Sequence, residues 1–498
     1  LSARPEDTGR GLTRRRLLAG AAGVGVAALL DPAGLAGAIT RRAPSPPAAA
    51  RIAIVGAGLA GLSCAYRLHQ HGLAPTVYEA HHERVGGRCW TAREFAAGQT
   101  AEHGGEFIDT AHHRIRALAG ELGLTLDDLE AAARKRPGLH PRLYLDGRVR
   151  RFADVYRGEH LLGERARADA RRIGSFRWDR ATRAARELDA MTAAEWLDAA
   201  LPDRSHPLLR LAVEQFMAEE YGLDLGRLSA ISMVVEFGGL GPESDERFHV
   251  HGGNDQLAWG LAELLPPGTL QLDRPLSGLR RRGSSYALSF AGTPTEARAD
   301  LVILCLPFTA LRRVDLNGAG LSTRKRRCIE ELGMGTNAKV LLQFRRHLSH
   351  YDSWNGEFYD EQVDTWCSST DEPGRSGLLT VYSGGSHGAA QTGPHPHGPA
   401  PHGRVRDALA RISQAVPGLA TGYDGDAWLD HWASDPWTHG SYAAYEPGQY
   451  TRYWGFVGRP EGRLLFGGEH TALGAQGFLE GAVRSGERCA AEAAALAR

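Results

Sequence analysis

The sequence predicts an α/β protein organised around a parallel, doubly wound sheet, and three stretches carry that reading. The first is RIAIVGAGLAGLSCAYRLHQHGLAPTVYE, residues 51 to 79, where an apolar run, spaced glycines, a helical stretch, a second apolar run and an acid follow in order. The second is ADLVILCLP, Ala299 to Pro307, a strongly apolar run closed by proline. The third is GRLLFGGEHTALGAQGFLEGAVRSGERCAAEAAALAR, where a strand, a glycine turn and an alanine-rich helix repeat the logic of the first.

Arg51 to Val55 is short, β-branched and apolar, as expected of a strand buried on both faces of a parallel sheet. Gly56, Gly58 and Gly61 then form G-x-G-x-x-G. Gly56 permits the tight turn, Gly58 lets a pyrophosphate approach the backbone, and Gly61 lets the helix lie close to the strand. That helix, from about Leu59 to Gln70, aims unpaired N–H groups and its positive dipole end at the phosphates. The next strand, Pro75 to Tyr78, ends at Glu79, placed to accept hydrogen bonds from an adenosine ribose. Its charge would repel a 2′-phosphate, which disfavours NADP. Glycine turns are common in a chain with 62 glycines. Strand, turn, helix, strand and acid in this order read as a dinucleotide site.

The chain of 498 residues, 42% hydrophobic and 23% charged, is long enough for two or more domains. Lys plus Arg balances Asp plus Glu at 58 each, which favours neither nucleic acid nor an anionic membrane surface as partner. Arginines crowd between Arg148 and Arg186, but the interleaved acids make that stretch a solvated helical face. Residues 1–38, with TRRRLLAGAAGVGVAALLDPAGLAGA from Thr13, read as a twin-arginine export signal: Arg14 and Arg15, a modest apolar stretch, and Ala36-Gly37-Ala38 for cleavage. Residues 39–50 read as a flexible linker. The expected destination is the extracellular or cell-envelope side. No membrane anchor is expected, because the apolar stretch is shorter than the ~20 residues of a membrane span and the first cysteine is Cys64.

The six cysteines show neither C-x-x-C nor zinc spacing, which leaves disulfides open. Gly384 to Gly403 holds His387, His395, His397 and His402 without a cysteine partner or a helical i, i+4 pair. It reads as a surface loop or insertion, and no metal is expected. The long middle, about Leu124 to Phe248, is mostly helical by periodicity, and MTAAEWLDAAL opens with a capping box, Thr192 and Glu195. Two further glycine pairs, Gly86-Gly87 in RVGGRCWT and Gly104-Gly105 in AEHGGEFID, bring backbone close to something, with Arg88 supplying a charge.

These residues together resemble the flavin amine oxidase family of monoamine oxidases, polyamine oxidases and L-amino acid oxidases. The resemblance rests on G-x-G-x-x-G with Glu79, R-x-G-G-R at Arg84 to Arg88, G-G-N-D-Q-L, A-D-x-V-I-x-x-x-P and F-G-G-E-H-T…G-F-L-E-G-A. It covers essentially everything after residue 50. It implies FAD bound in extended form, in a Rossmann-like FAD-binding domain built from 51–124, 249–327 and 435–498. An inserted α+β substrate-binding domain would comprise 125–248 and 328–434.

Carried over by position, the resemblance puts Glu79 on the adenosine ribose, and Arg84, Gly87 and Arg88 along the cofactor. Gly104, Gly105 and Glu106 would run past the flavin, and Leu276 would meet the adenine side. Gly468 and Glu469 would lie at the ribityl or pyrophosphate region. Gly477 and the helix beginning at Phe478 would face the flavin. Lys339 matches the lysine that holds a water beside flavin N5; its bland alternative is a strand-edge lysine. Tyr442 matches one wall of an aromatic cage, with Trp432 near it. Three departures stand out: His81 replaces a cofactor-contacting arginine, Phe478 replaces the second cage tyrosine, and Ser441 replaces the cysteine that tethers flavin. FAD should therefore be noncovalent.

The implied reaction oxidises the C–N bond of an amine, with a small-molecule amine and O2 as partners; a homodimer is left open. In GGEFIDTAHH, Phe107 and Ile108 stand where an amino acid oxidase would want an arginine for the α-carboxylate, so an amine is favoured over an L-amino acid. Glu219, Glu220, Asp245 and Glu246 are the acids that a diamine or polyamine would need. The rivals are a non-catalytic flavoprotein and a flavin desaturase, and Lys339 with Tyr442 counts against both.

Overall fold

The computed structural model describes residues 50–202, 205–239, 244–368 and 376–497. The stretch read as an export signal, and the linker up to residue 49, lie outside the described residues. Five strands form the parallel sheet, in the order Leu464–Phe466, Leu301–Leu304, Ile52–Val55, Pro75–Tyr78, Leu270–Gln271. The three expected stretches thus become neighbours, with Ile54 in register between Ile303 and Val77.

The period of two in the first strand sorts its side chains between two cores. Ile52 and Ile54 join Leu62, Leu68 and Val483 on the helical side. Ala53 and Val55 share the other core with Leu279 and Leu288 of an antiparallel meander, Leu276–Arg282, Ser285–Phe290 and Thr293–Ala299. The opening helix spans Leu59–Gln70, as the periodicity predicts, and the C-terminal helix Leu479–Ala497 lies against it. A Cβ at Gly486 would stand 2.3 Å from the Ala60 carbonyl oxygen, so that position must stay small for the helices to approach.

The middle region is helical, including Glu159–Ile173 and Pro207–Tyr221, and the capping box of Thr192 and Glu195 is formed. Arg183 pairs with Glu187 at i, i+4 as a solvated helical face should, whereas Arg165 reaches the buried Asp169, which also accepts from Trp196 Nε1. Periodicity missed the short strand Leu126–Asp128 and, beyond it, two more, His140–Leu145 and Arg148–Arg150. The latter two complete an eight-stranded sheet running His397–Pro399, Tyr423–His431, Ala338–Phe344, Gly377–Ser383, Asp364–Cys367, Trp354–Tyr359, His140–Leu145, Arg148–Arg150. The contacts are antiparallel except between Trp354–Tyr359 and His140–Leu145.

The histidine-rich segment departs from a surface loop. It forms a short helix, Gly385–Ala389, an edge strand, His397–Pro399, and the start of a helix, His402–Ile412. His397 is drawn inward between Asp430 and Asp435, at 2.8 and 3.2 Å. Among the described residues, no group of three or more His, Cys, Asp or Glu could hold a metal ion. All six cysteines are free and buried. No described helix is long and apolar enough to cross a membrane.

Candidate active site

A cavity of about 890 Å³ runs from the first glycine turn to the face of the eight-stranded sheet. That volume lies toward the upper end of the roughly 300–1,000 Å³ of small-molecule and cofactor sites. At the first turn, a Cβ on Gly61 would stand 1.9 Å from the Gly56 carbonyl oxygen, so this helix–strand approach admits only glycine. A Cβ on Gly58 would meet only Gly86 O, at 3.8 Å, and would otherwise project into open space beside the cavity that Gly58 lines. The cradle suits a ligand that must approach the backbone.

Glu79 lines the same end and is held from both sides: Oε2 accepts from Ala57 N at 2.6 Å and Oε1 from His81 N at 2.8 Å. Burial raises its pKa. His81 turns its Nδ1 onto the amides of Glu83 and Arg84, at 3.1 and 3.2 Å, and so caps a turn. Arg84 packs over the Trp90 ring at 4.2 Å and donates to the Gly87 carbonyl at 2.8 Å, one layer behind the cavity wall. Gly87 and Arg88 do line the cavity.

Farther along, Arg88 Nη1 donates to Ser441 O at 2.5 Å and to Glu469 Oε1 at 3.0 Å. Glu469 also accepts from the amide of Gly477, whose φ of +86° suits glycine. Gly468, Glu469, Gly477, Phe478 and Leu276 all line the cavity. Ser441 is buried, and its hydroxyl donates to Asn337 Oδ1 at 2.5 Å.

The sheet assembles the other end. His397, Asp430, Lys339, Tyr382 and Asp364 stand in one row of successive register partners, and residues paired this way share a face. Lys339 lies on a strand bonded on both sides, which excludes the strand-edge alternative. Its ammonium has three donors, and all three are used: Glu102 O at 2.9 Å, Gly104 O at 2.8 Å and Glu106 Oε2 at 2.8 Å. A water held by this lysine would need one of these bonds to open.

The glycine loop is clamped from every direction. Trp432 Nε1 donates to His103 O at 2.9 Å, and a Cβ on Gly104 would meet Arg88 O at 2.0 Å and the Trp432 ring at 3.3 Å. Trp432 therefore backs the loop as well as lining the cavity. A Cβ on Gly105 would run into Leu479 at 2.8 Å.

Tyr442 donates to Glu219 O at 2.7 Å, and its hydroxyl lies 2.9 Å from that of Tyr382. Phe478 packs on His112 at 4.9 Å. The phenol beside Tyr442 thus comes from Tyr382, which sequence reasoning missed together with Trp366. The apolar, aromatic run LLTVYS is a legible strand, but its register beside Lys339 is not legible in the sequence.

Burial raises Glu102 from 4.5 to about 8, with Glu106 and Asp255 adding repulsion against bonds from Asn254 N and Thr91. A carboxyl whose folded pKa is raised binds its proton more tightly in the folded state, so stability falls as pH rises from about 4.5 to about 8. Urea midpoints at pH 5 and pH 8 should show this loss, and Glu102→Gln should shrink it. An equal loss in both proteins would remove Glu102 as its source.

A family model described as flavin containing amine oxidoreductase matches residues 59–494. The chain belongs to that family. This amine oxidase is 27% identical over 481 residues to AofH of Mycobacterium tuberculosis, a flavin-containing monoamine oxidase by its name, covering 92% of this chain and 99% of the relative. It is 23% identical over 465 residues to amine oxidase [flavin-containing] A of Equus caballus, covering 89% of this chain and 84% of that one. Cyclohexylamine oxidase from Brevibacterium oxydans shares the fold, with a TM-score of 0.75 at 23% identity over 90% of this chain and 99% of that one. Family membership makes FAD the cofactor, and the glycine cradle beside Gly58 fits a dinucleotide.

Proposed function

We propose that this amine oxidase oxidises the C–N bond of a small-molecule amine to an imine, which hydrolyses to an aldehyde and ammonia or a smaller amine, while O2 becomes H2O2. One observation carries the reading: the Tyr382–Tyr442 pair and the Lys339–Glu106 pair line the same cavity as the glycine loop. FAD, when bound, supplies the hydride acceptor and the reaction with oxygen. The protein's own part is to exclude water, orient the amine between aromatic faces and hold charge at fixed points.

In this reading Gly56, Gly58, Gly61 and Glu79 hold the adenosine end of FAD, with Leu276 beside the adenine. Gly87, Arg88, Gly468, Glu469 and Gly477 follow its length, and Gly104 to Glu106 flank the flavin. Arg84 supports that wall from behind. The FAD-binding domain is 51–124, 249–327 and 435–498, and the substrate-binding domain is 125–248 and 328–434. An amine is preferred over an amino acid because Arg88 and Lys339 are already committed to Glu469 and Glu106, and Ile108 is buried in a bridge to Phe248.

The test is peroxide release by the purified yellow protein with monoamines, polyamines and L-amino acids. Turnover should favour amines, and a protein that releases no peroxide with any amine would sink the reading. Acid or heat denaturation should liberate free FAD, because the Ser441 hydroxyl cannot form a thioether; flavin retained on the precipitated chain would contradict this. Export by the twin-arginine route is also our proposal. Arg14→Lys with Arg15→Lys should strand active enzyme in the cytoplasm, and unchanged secretion would remove it.

A further inference from the structure

Glu106 lines the cavity and is 7% exposed. Both of its oxygens are oriented by donors from the sheet: Oε2 accepts from Lys339 Nζ at 2.8 Å and Oε1 from Trp366 Nε1 at 2.7 Å. Its backbone is pinned as well, since Asn254 Nδ2 donates to Glu106 O at 2.7 Å and to Gly105 O at 3.1 Å. A carboxylate offers about four lone-pair sites, so acceptor capacity remains after the two side-chain bonds. Around it stand aromatic walls. Trp366 packs at 5.4 Å against both Phe107 and Tyr382, and Tyr382 reaches Tyr442.

An amine entering this slot meets a carboxylate able to accept from it, phenol oxygens beside it that can also accept, and an ammonium that has nothing to offer. Lys339 has spent its three donors, and as an ammonium it has no acceptor. In water, an amine as basic as a lysine side chain, pKa about 10.4, is neutral in only about one molecule in 2,500 at pH 7. A site that accepts only the neutral form would forfeit that factor. A buried carboxylate flanked by π faces can take the abundant ammonium instead.

We propose that Glu106 is a catalytic residue that receives the amine as its ammonium and removes the proton, a role that rests on amine oxidation as the reaction. One N–H bond of the ammonium breaks, and its electron pair stays on nitrogen. The proton forms an O–H bond on Glu106. Substrate charge falls from +1 to 0, Glu106 goes from −1 to 0, and Lys339 keeps its charge, so no co-reactant is consumed. The freed lone pair is what loss of hydride from the α-carbon requires.

Several titratable groups face this carboxylate. They are Lys339 from its strand, Glu102 from the short strand Ala101–Glu102, and the Tyr382 and Tyr442 phenols, with Asp364 in register beside Tyr382. Lys339 donates to one oxygen of this carboxylate and leaves the other to Trp366. After proton transfer it remains bound to two backbone carbonyls and is not stranded.

The test compares holoenzyme and its Glu106→Gln variant on phenethylamine and on β,β-difluorophenethylamine, whose fluorines keep nitrogen largely neutral at pH 8. For phenethylamine, kcat/KM of the variant should fall at least about a hundredfold at pH 7 and then climb about tenfold per pH unit toward pH 9, as neutral amine becomes available. The parent profile should be much flatter. For the difluoro amine near pH 8, the variant should lie within about threefold of the parent, because no proton needs to be removed. Equal losses on both amines, or no loss on either, would overturn the proposal. If Glu106→Gln yields no holoenzyme, Glu106→Asp serves: it should keep the parent's flat profile at a lower rate, and a profile that steepens would count against Glu106. A parent that oxidises neither amine nor any other indicts the proposed function itself.

Discussion

Lys339→Met is expected to lose about 3–5 kcal/mol of folding stability, the cost of stranding one member of a buried ion pair. Lys339 and Glu106 are only 5% and 6% exposed along their side chains. Methionine keeps length and apolar packing, but it leaves the Glu106 carboxylate with Trp366 alone and the Glu102 and Gly104 carbonyls without their donor. The Gly104–Gly105 loop then loses one of its ties to the sheet, while the bonds from Trp366 to Glu106 and between His103 and Asp430 remain. Flavin reduction by amine should slow at least about tenfold, or ~1.4 kcal/mol in the barrier, in whatever fraction retains FAD. Urea unfolding and stopped-flow reduction read the two effects separately. Combining it with Glu106→Gln should recover part of the stability but not the rate, because the stranded charge is gone while the polar contact is not restored. A fully flavinated Lys339→Met enzyme with parental stability and both half-reaction rates unchanged would reduce Lys339 to an ordinary strand residue.

The second large effect is expected at Gly61→Ala. The added methyl would sit 1.9 Å from Gly56 O, 3.1 Å from Gly56 C and 3.3 Å from Ile54 Cγ2. Two of these atoms are backbone of the first glycine turn, so relief comes only by moving helix or turn. We expect about 1–3 kcal/mol of destabilisation from overpacking and at least about tenfold weaker FAD retention, equivalent to ~1.4 kcal/mol. Gly120 is the control. It lies exposed in the helix His113–Glu121 with nothing within 4 Å of a built Cβ. Gly120→Ala should be neutral or stabilise by up to about 1 kcal/mol. FAD content and thermal midpoints of the two variants decide the matter, and parental values for Gly61→Ala would refute the close-approach argument.

The parallel sheet, apart from its edge strand Leu270–Gln271, was legible because its other four strands announce themselves locally. Ile52–Val55, Pro75–Tyr78, Leu301–Leu304 and Leu464–Phe466 are short apolar runs bounded by glycine, proline or charge, and the structure makes them neighbours. The glycine turn was legible for the same reason, since its constraints act within a dozen residues. His397 was misplaced because its position depends on partners 33 and 38 residues away in sequence. His397 leaves the expected surface loop for Asp430 and Asp435, while Arg84 packs on Trp90, a near neighbour in the chain.

The amino-acid sequence by itself determined the cofactor-binding architecture, through local rules of strand burial, turn conformation and helix approach, and its motifs marked Lys339 and Tyr442 as residues of interest. Only the tertiary structure decided what those residues touch. Strand pairing sets Tyr382 beside Lys339 and brings Trp366 and Glu106, 260 residues apart in the chain, to 2.7 Å. A strand's pattern of side chains says which face is buried, but nothing local says which residue of another strand stands opposite. That choice belongs to the packed sheet, and with it the ring of donors and aromatic faces that closes around Glu106.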